Sequence, residues 1–132
     1  MTDQFEISNL ELMRKGIELF NAQKYWECHE ELEHHWLEEP GNIRNVYWAV
    51  IQVAAAMIHY RENNLIGATG LINKAKQKID RVEKMNLENM ILYENLDWKA
   101  LKKLVRKVPD IPELSDFKLL FEFRFKDPST WK

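Results

Sequence analysis

Cysteine occurs once in the chain, at Cys28, which excludes an intrachain disulfide and suits a reducing compartment. Glycine and proline are scarce, four of each in 132 residues, while aromatic residues are plentiful, a balance that argues against wholesale disorder. No apolar run is long enough to cross a bilayer, because the most apolar stretch, residues 46–58, is too short and contains Gln52. The N-terminal segment MTDQFEISN is polar and acidic, unlike a secretory leader, so a cytoplasmic location is the expectation. There is no glycine-rich phosphate loop and no dinucleotide fingerprint. A charge excess of one sign is missing too, since the net charge is −2.

That small net charge hides a division. Residues 1–66 carry 5 Lys/Arg against 11 Asp/Glu, a net of −6, whereas residues 67–132 carry 14 against 10, a net of +4. The plainer expectation is that the halves attract one another within the fold or across a dimer. The sharper one is a basic face for an acidic partner, made of Lys74, Lys78, Arg81, Lys102, Lys103, Arg106 and Lys107. Nucleic-acid binding is disfavoured, because such proteins carry a clear positive excess.

The densest chemistry lies between Phe20 and Trp36, FNAQKYWECHEELEHHW. Around it the periodicity predicts helices throughout. Ser8 and Glu11 have capping-box spacing for a first helix starting near Asn9, with Leu10, Met13, Ile17 and Phe20 inward. A second helix runs from about Lys24 to Glu38 and stops at Pro40-Gly41. Asn42 caps a third that continues to about Glu62, and Asn63-Asn64 separates it from a fourth over 65–83. Gly67 and Gly70 weaken the start of that fourth helix, which predicts close approach to a neighbouring backbone there. A short helix is expected within 86–93, and another from Trp98 to Lys107 capped by Asp97. The tail from Phe117 to Phe125 alternates Phe121, Phe123 and Phe125 with charged residues, but a lone strand has no partner. An irregular segment laid across the helices is the expectation.

An offset of 40 residues relates Phe20, Tyr25, Cys28 and Leu32 to Tyr60, Leu65, Ala68 and Ile72. The expected fold is therefore all-α: one domain over residues 1–132, built as two antiparallel helix hairpins with C-terminal helices and an irregular tail. The hairpin pair has a loose likeness to tetratricopeptide packing.

On a helical wheel, Tyr25, His29, Leu32 and Trp36 share the inward stripe of the second helix, with Glu33 at its edge and Glu30 further out. His34, Glu27, Glu31 and Glu38 fall on the opposite side. The third helix is apolar nearly all round, the mark of a central helix, apart from the row Asn45–Gln52–His59 padded by alanines. Buried polar groups need partners, since an unpaired one costs about 1–3 kcal/mol. The economical partners for that row are His29 and Glu33. Removing one member of a fully buried His29–Glu33 pair would cost about 3–5 kcal/mol.

The pattern Tyr25-Trp26-Glu27-Cys28-His29-Glu30-Glu31-Leu32-Glu33…Trp36, followed by Ile51-Gln52-Val53-Ala54-Ala55…His59 and Gly67-Ala68…Leu71, resembles the domain-of-unknown-function family 309, a prokaryotic all-helical family. The resemblance covers residues 10–82 and leaves 85–132 as an extension. It implies the helical fold and the polar positions His29, Glu30, Glu33, Gln52 and His59, but no established activity.

Three chemistries compete for these residues. A divalent metal on His29, Glu33 and His59 would make a two-His-one-carboxylate set, and with it a metal-binding protein or metal-dependent hydrolase. The text is not HExxH, and the single Glu31-x-x-His34 pair falls short of a di-iron bundle, which needs two. Acid–base hydrolysis finds no nucleophile, since residues 20–60 contain no serine or threonine and Cys28 points about 100° from His29. The favoured reading is a non-catalytic interaction or structural domain, with a protein partner or a second copy at Trp26 and Leu37 and a buried polar seam beneath.

Overall fold

The computed structural model describes residues 3–132. The chain forms α1 (Ile7–Asn21), α2 (Tyr25–Glu38), α3 (Arg44–Arg61), α4 (Leu65–Lys84), α5 (Met90–Asn95), α6 (Trp98–Lys107) and α7 (Lys118–Glu122), with single 3₁₀ turns at Leu114–Phe117 and Pro128–Thr130. Among the described residues there is no strand, as the periodicity required. No helix there is long and apolar enough to cross a membrane.

The architecture is a helical bundle centred on α3, which packs most extensively on α4 and then on α2, while α1 covers α2. Its valines and alanines, together with Tyr47, Ile51 and Met57, are all buried apart from half-buried Ala55. The turn between α1 and α2 repeats at the same offset between α3 and α4. Gln23 and Asn63 both adopt left-handed backbone, φ 60° and 58°. In both turns the amide of that residue donates to the aromatic three positions earlier, Phe20 and Tyr60 respectively. The 40-residue repeat is thus a repeat of turn geometry as well as of side chains.

Several details differ from the sequence reading. Helix α1 begins at Ile7, where Asn9 Oδ1 accepts from the Glu6 amide at 2.9 Å, while Glu11 turns to Arg14 instead of capping. Helix α3 begins at Arg44, because Asn42 offers its backbone carbonyl, not its side chain, to Asn45 Nδ2. Asp97 stands at the start of α6 but is left-handed and makes no capping bond. Asn64 does cap α4, accepting from the Gly67 amide at 3.0 Å.

The C-terminal tail is partly helical. Phe121 lies within α7, so the Phe121/Phe123/Phe125 alternation is not a strand but crosses a helix end. Beyond it the chain does lie across the bundle. Phe123 and Phe125 meet Phe20 edge-on, Asn21 and Phe125 exchange hydrogen bonds, and Arg14 donates to the Pro128 carbonyl. Helix α6 is clamped to α4 by Lys102, which reaches Glu83 and Glu88, and by Arg106, which reaches Asp80 and Glu83.

Of the two glycines expected to sit against backbone, Gly67 is close-packed, but against side chains. A Cβ there would stand 2.6 Å from His59 Nδ1 and 2.7 Å from Asn64 Nδ2. Gly70 faces open space, and it is Gly16, pressed against Leu32, that allows a close helix approach. In urea melts, Gly70→Ala should therefore raise stability by about 0.5–1 kcal/mol through helix propensity. Gly67→Ala should lower it, by displacing the His59–Asn64 contact.

Hydrogen bonds from Lys102 and Arg106 hold the Glu83 carboxyl down at about 2, from an ordinary 4.5. A carboxylate depressed in the folded state contributes stability above its unfolded value and loses it as pH falls through the folded one. Thermal melts should thus fall between pH 4.5 and 2. In Glu83→Gln that acid-sensitive part should shrink, with a lower melting temperature already present at neutral pH.

Candidate functional site

The polar seam closes only in part. His29, Glu33 and Trp36 from α2, Trp48, Ile51, Gln52 and Ala55 from α3, and Leu71 and Lys74 from α4 line a cleft of about 200 Å³. His29, Glu33 and Gln52 are thereby brought to one place, as the wheels of two facing helices implied. His59 is not. It lies two turns beyond Gln52, where Asn64 Nδ2 meets its Nδ1 at 3.0 Å and Gly67 packs against the ring.

Within the cleft the expected hydrogen-bonded cluster does not form. His29 Nε2 stands 3.6 Å from Glu33 Oε2 and its Nδ1 stands 3.8 Å from Glu30 Oε1, so the two carboxylates face opposite nitrogens of one ring. Opposite nitrogens point to opposite sides of an imidazole, so Glu30 and Glu33 cannot share an ion with it. Among the described residues no three His, Cys, Asp or Glu side chains gather as a metal would require. The set His29, Glu33 and His59 is therefore not assembled, because α3 carries His59 past the end of the cleft. Glu33, with 44 % of its side chain exposed, also falls outside the fully buried regime assumed for the His29–Glu33 pair.

Gln52 is buried, and its Oε1 has no hydrogen-bond partner in the protein. It is not alone. Six buried side-chain polar atoms among the described residues lack a partner, and five of them belong to α2 and α3: His29 Nδ1, Trp36 Nε1, Arg44 Nε, Asn45 Oδ1 and Gln52 Oε1. Such atoms are rare in folded proteins, and their concentration on one side of the bundle marks it chemically.

Around them stands an arrangement that sequence reasoning missed. The Trp36 and Trp48 rings lie 4.9 Å apart, tilted by 48°. Arg44 stacks on Trp36 at 4.3 Å, and Lys78 Nζ lies 4.0 Å from the Trp48 ring. The two tryptophans do fall on facing sides of their wheels, so the pair was legible. The burial of Lys78 was not, because its ammonium lies over an indole that belongs to another helix. The shortest His–carboxylate contact was missed as well: His35 Nε2 to Glu31 Oε2 at 2.9 Å, both partly buried, although Glu31 was expected to face water. Its i, i+4 spacing was the available signal.

Two further residues fall as expected. Cys28 is fully buried, and burial with the nearby Glu31 carboxylate pushes its thiol up to about 12, so it is no nucleophile. Trp26 is 59 % exposed and stacks on His29 with ring centres 5.7 Å apart.

Fold and cleft together define a small helical domain built on two hairpins with a polar, tryptophan-lined cleft between α2, α3 and α4. Residues 13–71 match the family model described as Domain of unknown function (DUF309). It is also similar to the uncharacterized protein YpuF of Bacillus subtilis (strain 168), 42% identical over 93 residues, which is 70% of this chain and 51% of that protein. The chain thus spans about half the length of the curated relative it matches. No solved structure matches.

Because Oε1 of Gln52 is unpaired, Gln52→Leu should leave a folded protein of equal or greater stability in urea melts. Glu33→Leu should cost under about 1 kcal/mol, the scale of a solvent-exposed pair. A loss near 3 kcal/mol for Glu33→Leu would show instead that the carboxylate is buried and paired.

Proposed function

We propose that the chain is a non-catalytic interaction domain, one folding unit over residues 1–132, which grips a partner protein at the α2–α4 cleft. The observation that supports this best is the state of the seam. Its polar atoms neither satisfy one another nor gather into a set that would bind an ion or activate a nucleophile. Of them His29, Glu33 and Gln52 open on a cleft of about 200 Å³, below the ~300–1,000 Å³ of small-molecule sites and near the size of one inserted side chain. Trp26 and Leu37, 59 % and 64 % exposed, stand on the same helix as large apolar contacts of the kind that anchors interfaces. A buried free thiol fits a cytoplasmic setting for such a domain.

Site-specific photo-crosslinking in cells tests the reading. A photoreactive residue at position 26 or 37 should give a discrete protein adduct, whereas one at position 66, still more exposed on α4, should not. Absence of adducts from both positions would overturn the proposal. So would one tightly bound equivalent of Zn²⁺, Fe²⁺ or Mn²⁺ in the purified protein that His29→Gln abolishes.

A further inference from the structure

The charge division between the two halves is not resolved inside the fold. Every ion pair among the described residues joins groups of the same half, so the expected attraction between the halves is not made by ion pairs. The basic face anticipated from the sequence is in part consumed locally, because Lys102 and Arg106 are held by Asp80, Glu83 and Glu88. Lys74, Lys78 and Arg81, spaced four and three along α4, share one face. None of them has a carboxylate within ion-pair distance.

These three cations converge with Arg44 on the tryptophan pair. Lys74 lines the cleft beside Trp36 and Trp48, Arg81 lies 5.9 Å from the Trp48 ring, and Lys78 is only 4 % exposed. Burial first, and then repulsion from Arg81 and Lys74, pushes the Lys78 ammonium below its ordinary value, as expected where like charges meet with nothing negative among them. Two of the buried atoms without partners here are N–H donors, Trp36 Nε1 and Arg44 Nε. Trp36 lines the cleft, and Arg44 stacks on its ring. The cleft contains one carboxylate, Glu33, which is half-exposed at its rim and turned toward His29.

We propose that this cleft binds a carboxylate, the side chain of an Asp or Glu presented by an acidic segment of a partner protein, with Lys74 and Trp36 Nε1–H as its donors. Arg44, Lys78 and Arg81 supply the surrounding positive potential. The proposal rests on the interaction-domain reading and names the chemistry of its partner. A single carboxylate suits the site better than a phosphate polymer. A nucleic acid needs a continuous basic track, whereas this cleft holds Glu33 and has exposed Glu30 beside its His29, in a chain of net charge −2.

Calorimetric titration of the full chain with a capped oligoglutamate peptide, a capped oligoglutamine peptide, inorganic phosphate and a short RNA tests the proposal. The glutamate peptide should bind, more weakly as salt rises, and the glutamine peptide should not. Trp36→Phe keeps the ring and removes the N–H. Lys74→Gln, at an exposed position, removes a charge without disturbing the core. Each should weaken the glutamate peptide roughly tenfold, the loss of one charge-assisted hydrogen bond, while thermal melts stay close to the parent.

Equal binding of the two peptides, or affinities unchanged in both variants, would overturn the proposal. So would phosphate or RNA binding at least as tightly as the glutamate peptide, or sedimentation showing this face occupied by a second copy. If crosslinks from positions 26 and 37 persist while the glutamate peptide fails to bind, the carboxylate assignment falls and the interaction domain stands. If both fail, both readings fall.

Discussion

Burial of α3 on nearly every side is the constraint on which the rest depends. A helix so enclosed satisfies its own backbone and asks its neighbours only for apolar surface, which α2 and α4 provide. It also removes freedom from any polar side chain it carries. Asn45 and Gln52 cannot turn to bulk water, and neither Asn45 Oδ1 nor Gln52 Oε1 finds a partner in the protein. A fold that keeps such groups at about 1–3 kcal/mol each gains nothing from them in stability, which is why they read as chemistry and not as architecture.

Much of this could be read before the structure. Types and positions of the four long helices follow from periodicity, and the repeat of Phe20/Tyr25 at Tyr60/Leu65 correctly implied two equivalent hairpins, whose turns also share a left-handed residue, Gln23 and Asn63. What escaped were features set by several side chains at once. Ser8 looks like a better cap than Glu6, but Asn9 reaches back to the Glu6 amide and also donates to Tyr47, which fixes the start two residues earlier. Gly70 and Gly67 look alike in sequence, and only the placement of His59 separates them.

The candidate site was half legible for a similar reason. A helical wheel gives direction but not height, so His59 shared an azimuth with Gln52 and was expected beside it. Two turns of rise instead carry it to the end of α3, where Asn64 engages it. The cations around Trp48 were legible as a basic face, not as a cluster, since the wheel of α4 says nothing about the indole over which the Lys78 ammonium lies.

The geometry of α2 explains why a cleft exists there at all. On its α1 side, Leu32 fits against Gly16 so closely that a Cβ would stand 2.5 Å from it, and the two backbones approach accordingly. On its other side, α2 presents Trp36 to Trp48, and two indoles at 4.9 Å occupy the space where smaller side chains would let the helices close. The same helix is therefore drawn tight on one flank and propped open on the other. Replacing either tryptophan by leucine would remove the prop, and with it the ring under which Arg44 or Lys78 now lies. Cleft and cation cluster are consequences of one packing choice, so a ligand that uses the cations must also meet the tryptophans.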